Sequence, residues 1–216
     1  TISPQSYKHE RRTLLAILDY AVASGIMLEN PARTALPTRK LRLVKKMIIP
    51  AREQFRLLVD TLRAADVRAR PAANLVELLG YSGMRLREAL NLTWGDLDFE
   101  RGTFQVTGGE GGTKNHEVRV VPMFPALRSL LERIRQTVEG TPNPDERIIP
   151  ITGGSGSSTA IKNACRKAGL PNFRHHTLRH YFASNAIENG VDFNTIAGWL
   201  GPRAGGVPRS KHYGSP

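Results

Sequence analysis

Tyr81-Ser82-Gly83-Met84-Arg85-Leu86-Arg87-Glu88 and His176-Thr177-Leu178-Arg179-His180 stand about ninety residues apart, and a lone tyrosine, Tyr213, follows them near the end of the chain. Each segment sets an arginine three residues from a second functional group. Glu88 follows Arg85 at a spacing that shares one helix face, so its carboxylate could orient the guanidinium; an ordinary surface ion pair has the same spacing. His176 precedes Arg179 by three residues, which places both on one face at a helix start. Gly83 breaks the chain ahead of the first arginine, and the second segment opens a helix of its own. Each box therefore reads as the first turn of a helix that presents a cation.

Composition limits what these groups serve. Over 216 residues, 40% are hydrophobic, enough for one sizeable core and a fragment of a second. Thirty-one Lys and Arg against nineteen Asp and Glu give a formal charge of +12. That excess favours a polyanionic partner, nucleic acid first, with a ribosomal or membrane-surface role compatible with the same charge. Cys165 is the single cysteine, so no internal disulfide forms and a cysteine zinc site lacks ligands. No apolar run has the length of a membrane span and the start lacks a signal-peptide pattern, so a cytoplasmic location is expected.

Outward from the two boxes, the pattern is helical. Pro4 to Gly25 carries Leu14, Leu15, Ile17, Leu18, Ala21 and Val22 at helical spacing. This stripe has no neighbour in sequence to cover it, and residues 1–36 read as the end of a helical domain whose beginning is absent. Residues 37–50 belong to a proline-interrupted basic stretch running from Asn30-Pro31 to Pro50, read as an extended linker. Its cations Arg39, Lys40, Arg42, Lys45 and Lys46 could follow a phosphate backbone; a solvated tether is the alternative. Helices are expected at 51–65, 73–79, 85–92, 126–138, 159–168, 178–188 and 193–200. Strands are expected at Thr103–Val106 and Val118–Val121, joined through a glycine-rich turn at 108–112. The expected class is mainly α with a small antiparallel sheet (α+β), residues 51–216 forming one domain.

Cleaving a phosphodiester without metal or nucleotide needs positive donors on the nonbridging oxygens, an in-line nucleophile and an acid for the leaving oxygen. Arg85 and Arg179 suit the first task, since a guanidinium can bind two oxygens and stays charged. Taken singly, each is better explained by a surface salt bridge. His176 could donate to the same phosphate or shuttle a proton. His175, His176 and His180 lack the glutamate of the HExxH zincins, and a metal site is not expected. Lys114, at the expected hairpin tip, could protonate a leaving oxygen or simply be solvated. Tyr213 lies in a polar tail between His212 and Gly214; its phenol needs nearby cations or a base to act as a nucleophile, and a frayed tail is the bland reading.

In this order and these settings, the residues resemble the tyrosine recombinases, the phage-type integrase family. The resemblance covers about residues 48–216, and residues 1–36 are similar to the end of the family's core-binding domain. Tyr81 to Leu92 resembles the first-arginine box and His176 to His180 the second. Thr113-Lys114 ahead of Arg119-Val120-Val121-Pro122 resembles the hairpin lysine, and Gly205-Gly206-Val207 leading to Lys211-His212-Tyr213-Gly214 resembles the segment that delivers the nucleophile. The resemblance implies site-specific cutting and rejoining of double-stranded DNA, as in a phage or other mobile element. Tyr213 attacks the scissile phosphate, a 3′-phosphotyrosine forms and a 5′-hydroxyl leaves. Arg85, His176 and Arg179 stabilise the phosphorane, Lys114 is the general acid, and Glu88 and His180 support them. Arg87 joins the basic linker in binding DNA. No cofactor is implied, because the covalent intermediate keeps the bond energy. The full-length protein is expected as a tetramer on DNA, with a monomer the alternative for this chain.

Two features depart from the family pattern. Pro202, after Trp199-Leu200-Gly201, stands where a histidine or tryptophan is usual, and proline offers neither a side-chain donor nor a backbone N–H. Loss of one such donor costs about 2.7–4 kcal/mol of barrier. The chain also ends at Pro216, without the helix that family members pass to a neighbour. A catalytically weak DNA-binding relative and a type IB topoisomerase-like enzyme are therefore the alternative functions.

Overall fold

A computed structural model describes residues 4–36, 47–107, 118–151 and 153–201. The chain divides into two compact units, residues 1–47 and 48–216. In the first, α1 (Pro4–Ala23) is followed by a short helix, α2 (Ala32–Ala35). The buried Asn30 joins them: its Nδ2 donates to Asp19 Oδ1 at 2.7 Å and to Leu15 O at 3.2 Å, while its Oδ1 accepts from Ala32 N at 2.9 Å. That last bond satisfies a helix-start donor, and Pro31 supplies a helical φ of −66°. The stretch read as extended from Asn30 onward is thus helical at 32–35. Leu14 and Ile17 of the α1 stripe are exposed, as is Tyr20 beside it. The basic linker residues Arg39, Lys40, Arg42, Lys45 and Lys46 lie outside the described residues.

The second unit is organised about α4 (Arg70–Ser82), against which α3 (Arg52–Arg63), α5 (Leu86–Asn91), α6 (Pro125–Arg135), α7 (Gly154–Lys167) and α8 (His175–Glu188) pack. A helix covered from so many sides must be apolar nearly all round. Ala73, Leu75, Val76, Leu78 and Leu79 are accordingly sealed from solvent. Its one buried acid, Glu77, is held by Arg63 of α3 and by Arg133 of α6, whose Nη2 lies 2.9 Å from Oε2. Burying that carboxylate is tolerable because both arginines meet it.

Three short strands form an antiparallel sheet in the order β1 (Leu97–Asp98), β2 (Thr103–Val106), β3 (Arg119–Pro122). The two strands expected from sequence are present with a third, β1, added. Phe104 pairs with Val121, and Val106 with Arg119. Phe104, Val106 and Val121 are buried, whereas Val120 is exposed. Strand alternation thus puts Arg119 on the inward face with Val121. The glycine-rich turn and Lys114 fall outside the described residues.

α9 (Phe193–Leu200) closes the described chain, packing on α8 and β3. Several helices run longer than expected: α4 begins at Arg70, α7 at Gly154 and α8 at His175.

The junction between α4 and α5 turns at Gly83. Gly83 ends α4 in the left-handed region at φ 66°, and its amide donates to Leu79 O. A Cβ at Gly83 would collide with the Phe182 ring and lie 2.7 Å from Leu200 Cδ2. Gly102 also has a positive φ, +63°, with nothing within 4 Å of its Cβ position. Gly102→Ala therefore costs the left-handed penalty alone, about 1–2 kcal/mol, and Gly83→Ala costs about 2–4 kcal/mol because overpacking adds to it. Urea denaturation of the two variants measures the difference, and equal losses would rule out the packing account.

Candidate active site

The site grows from the Gly83 turn. After it, Arg85 occupies the N-cap of α5, and Glu88, three residues on, returns its carboxylate to the Arg85 amide (Oε2 to N, 2.8 Å). The same carboxylate accepts from Arg85 Nη1 at 2.8 Å. Glu88 thus caps its own helix and orients the arginine at the helix start. Burial alone would raise the Glu88 pKa; hydrogen bonds from Arg119 and Arg85 outweigh it and hold the carboxyl below its ordinary value.

Arg119 is the group that sequence reading did not single out. From β3 it grips Glu88 with both terminal nitrogens, Nη2 to Oε2 at 2.5 Å and Nη1 to Oε1 at 3.2 Å, and donates Nε–H to Trp199 O at 2.7 Å. The signal that could have found it is the strand period, which puts position 119 on the face of Val121.

Arg179 comes from α8 and is buried, 5% exposed. Its Nη1 donates to Gly83 O at 2.6 Å and its Nη2 to Leu200 O at 2.7 Å. Burial first, and repulsion from Arg85 second, lower its pKa to about 10, which leaves it charged at neutral pH. Arg85 and Arg179 both line an open cleft of about 700 Å³, together with His176, Arg174 and Lys162. Among the described residues no carboxylate lines this cleft. Its cations, and the first turn of α8 with the positive end of the helix dipole, make it a receptor for an anion.

The histidines divide their tasks. His175 turns from the cleft wall to Ser157 of α7 (Nε2 to Oγ, 3.0 Å), and burial lowers its pKa. His176 and His180 face each other with Nε2 to Nε2 at 3.1 Å, so one ring carries the shared proton and the other offers a lone pair. Burial, then His176 and Arg179, lower the His180 pKa. Thr177 fixes the start of α8 by accepting from Arg174 N at 3.0 Å and donating to Arg174 O at 2.7 Å. Among the described residues no group of three His, Cys, Asp or Glu stands where it could hold a metal ion.

Of the residues expected from sequence, the structure brings Arg85, Glu88, His176, Arg179 and His180 together. Arg87 is exposed on α5. Lys114, Pro202 and Tyr213 lie outside the described residues. No helix among the described residues is long and apolar enough to cross a membrane.

Comparison with known proteins identifies the family and the fold. The model of the phage integrase family matches residues 51–203. The tyrosine recombinase XerC of Bifidobacterium longum (strain DJO10A) is 28% identical over 213 residues, covering 87% of this chain and 58% of that protein. The tyrosine recombinase XerA of Pyrococcus furiosus is 30% identical over 155 residues, covering 69% of this chain and 51% of that protein. The chain therefore spans only part of the length of these relatives. Among solved structures, the Tn1549 transposon integrase in complex with circular intermediate DNA has the same fold, with a TM-score of 0.73 at 18% identity over 94% of this chain and 72% of that one. A lambda integrase dimer bound to a COC′ core site gives 0.70 at 17% identity, covering 90% and 70%. The family match extends over most of the chain and takes in both arginine boxes that meet at the cleft; the chain belongs to the phage integrase family of tyrosine recombinases.

Proposed function

We propose that the chain carries the catalytic apparatus of a site-specific DNA recombinase that works through a 3′-phosphotyrosine intermediate. The observation that carries this reading is the convergence of Arg85, Arg179 and His176, from the two separate sequence boxes, on one cationic cleft without a lining carboxylate among the described residues. Such a cleft accepts a phosphodiester, and its preformed donors stabilise the extra charge of a phosphorane. The family's named relatives, XerC and XerA, support the reaction class.

In this reading Tyr213 attacks the scissile phosphorus, forming a P–O bond to the phenol as the 5′-oxygen leaves and takes a proton from Lys114. The phenol proton passes to a base or to solvent. Arg85 and Arg179 hold nonbridging oxygens, and His176 adds a hydrogen bond to the same group. Arg179 is held to two backbone carbonyls that leave its charge uncancelled, so it serves as a fixed electrostatic post. Glu88 and His180 support Arg85 and His176. Arg39, Lys40, Arg42, Lys45, Lys46 and Arg87 neutralise flanking DNA phosphates, and the full-length protein works as a tetramer on DNA. Pro202 favours a second reading, a DNA-binding relative that cuts slowly or not at all; a topoisomerase-like use of the same chemistry is the third.

A nicked suicide substrate, incubated in EDTA without ATP, tests the first reading. Wild type is expected to give a covalent protein–DNA adduct on a denaturing gel, and Tyr213→Phe none. DNA retention in a shift assay without any adduct at any pH would move the conclusion to the binding-only reading. Arg179→Lys cannot reach Gly83 O and Leu200 O together and is expected to slow adduct formation about 10²–10³-fold. Arg174→Ala, at the cleft rim, is expected to weaken binding to all DNA sequences alike and to lower the slope of log affinity against log salt by about 1. An unchanged slope would remove Arg174 from the DNA path.

A further inference from the structure

Arg119 joins two parts of the site that are far apart in sequence. Its side chain is 10% exposed, and it meets Glu88, itself 7% exposed, in a bidentate pair. Its remaining nitrogen, Nε, donates to Trp199 O across 80 residues of sequence. The contact continues to the next turn of chain: a Cβ at Gly201 would lie 3.2 Å from Arg119 Nη1, so glycine there lets the guanidinium pack against the backbone. Gly201, at φ 75°, ends α9, and its amide donates back to Ala197 O at 2.9 Å. From Gly201 the sequence runs on to Tyr213.

We propose that Arg119 is a positioning residue that locks the Arg85–Glu88 pair and the C-terminal end of α9 to one buried guanidinium, so that the phosphate clamp and the chain leading to the nucleophile share a common anchor. The proposal rests on the recombinase reading for its catalytic consequence; the anchoring itself is independent of it. Three features set this role apart from an ordinary buried ion pair. The two acceptors belong to different parts of the site, one an ionised carboxylate and the other a helix-end carbonyl. All three nitrogens are used in a fixed fork that lysine cannot reproduce. Finally, Glu88 is shared, so any loosening of Arg119 reaches Arg85 through the carboxylate that both hold.

The titration of Glu88 gives this coupling a measurable sign. The Arg119 hydrogen bond is the strongest influence holding the Glu88 carboxyl down against burial. The ionised pair is present above the folded-state pKa and is lost as pH falls through it. Removing Arg119 raises that pKa, so protonation of Glu88, and with it release of Arg85, moves to higher pH. Arg85, Arg119 and Arg179 are the charged groups near this carboxylate from the neighbouring elements.

Arg119→Lys and Arg119→Met test the proposal by two measurements. The first is amide hydrogen exchange at Leu200 and Gly201 in the DNA-free protein, where both variants are expected to exchange about 10-fold faster than wild type while the α4 core amides stay protected. The second is the rate of adduct formation on the suicide substrate as a function of pH. Arg119→Lys is expected to be about 10–100-fold slower with DNA affinity within about 3-fold, and in Arg119→Met the fall in rate on acidification begins at higher pH. Unchanged exchange at Gly201 would overturn the anchor whatever the enzyme does with DNA. Faster exchange with a wild-type rate and pH profile would overturn the catalytic consequence. If wild type itself forms no adduct, the recombinase reading falls, and the exchange data alone decide the anchor.

Discussion

A buried guanidinium must have acceptors for its protons, and the position of Arg179 follows from where it finds them. The two it uses are main-chain carbonyls, Gly83 O just past α4 and Leu200 O at the end of α9. Helix ends are where carbonyls lack partners inside the helix, so an arginine passing between two such ends satisfies them and is satisfied in turn. The cation gives up water without giving up charge, since neither acceptor is ionised. The remainder of the second unit can be seen as the framework that holds those two carbonyls apart at the right span: α4 at the centre, its glycine stop, and α9 packed on α8 and β3.

The neighbouring arginines are treated differently, and the difference is chemical. Arg85 and Arg119 share the carboxylate of Glu88, which offsets part of their mutual repulsion and turns both in fixed directions. Three guanidinium groups around one carboxylate leave a net positive centre beside the cleft. Such a centre is costly on its own, and an anion in the cleft would offset that cost. The lowered pKa of Arg179 comes first from its burial, with repulsion from Arg85 and Arg119 adding to it.

Much of this was legible from residue order. The Arg85–Glu88 and His176–Arg179 spacings, together with Gly83, indicated two helix starts presenting cations, and the structure sets both at one cleft. What escaped reading did so for identifiable reasons. Residues 153–158, Gly-Gly-Ser-Gly-Ser-Ser, look like a loop by composition, yet α7 begins at Gly154 because Ser157 is buried there and bonded to His175. Asn30 and Pro31 suggested an extended linker, whereas the Asn30 side chain supplies the acceptor that starts α2. Arg119 stood within an expected strand without being assigned a role; strand period set it on the face of Val121, and the pairing register and its bonds show what it holds there. Lys114 and Tyr213 were candidates by position and chemistry, with their roles drawn from family resemblance, and the geometry of the described residues does not bear on them.

The bonds that make the cleft span great lengths of chain: 96 residues from Arg179 to Gly83, 80 from Arg119 to Trp199, and 31 from Arg119 to Glu88. Contacts of that kind are entropically expensive to close. The cationic cleft is consequently a property of the folded unit, built by residues far apart in sequence. A ribosome-bound chain that has not yet released Leu200 has every one of its described cleft cations already synthesised, but it lacks the second of the two carbonyls that hold Arg179, so both ends of that hold are present only once α9 is made.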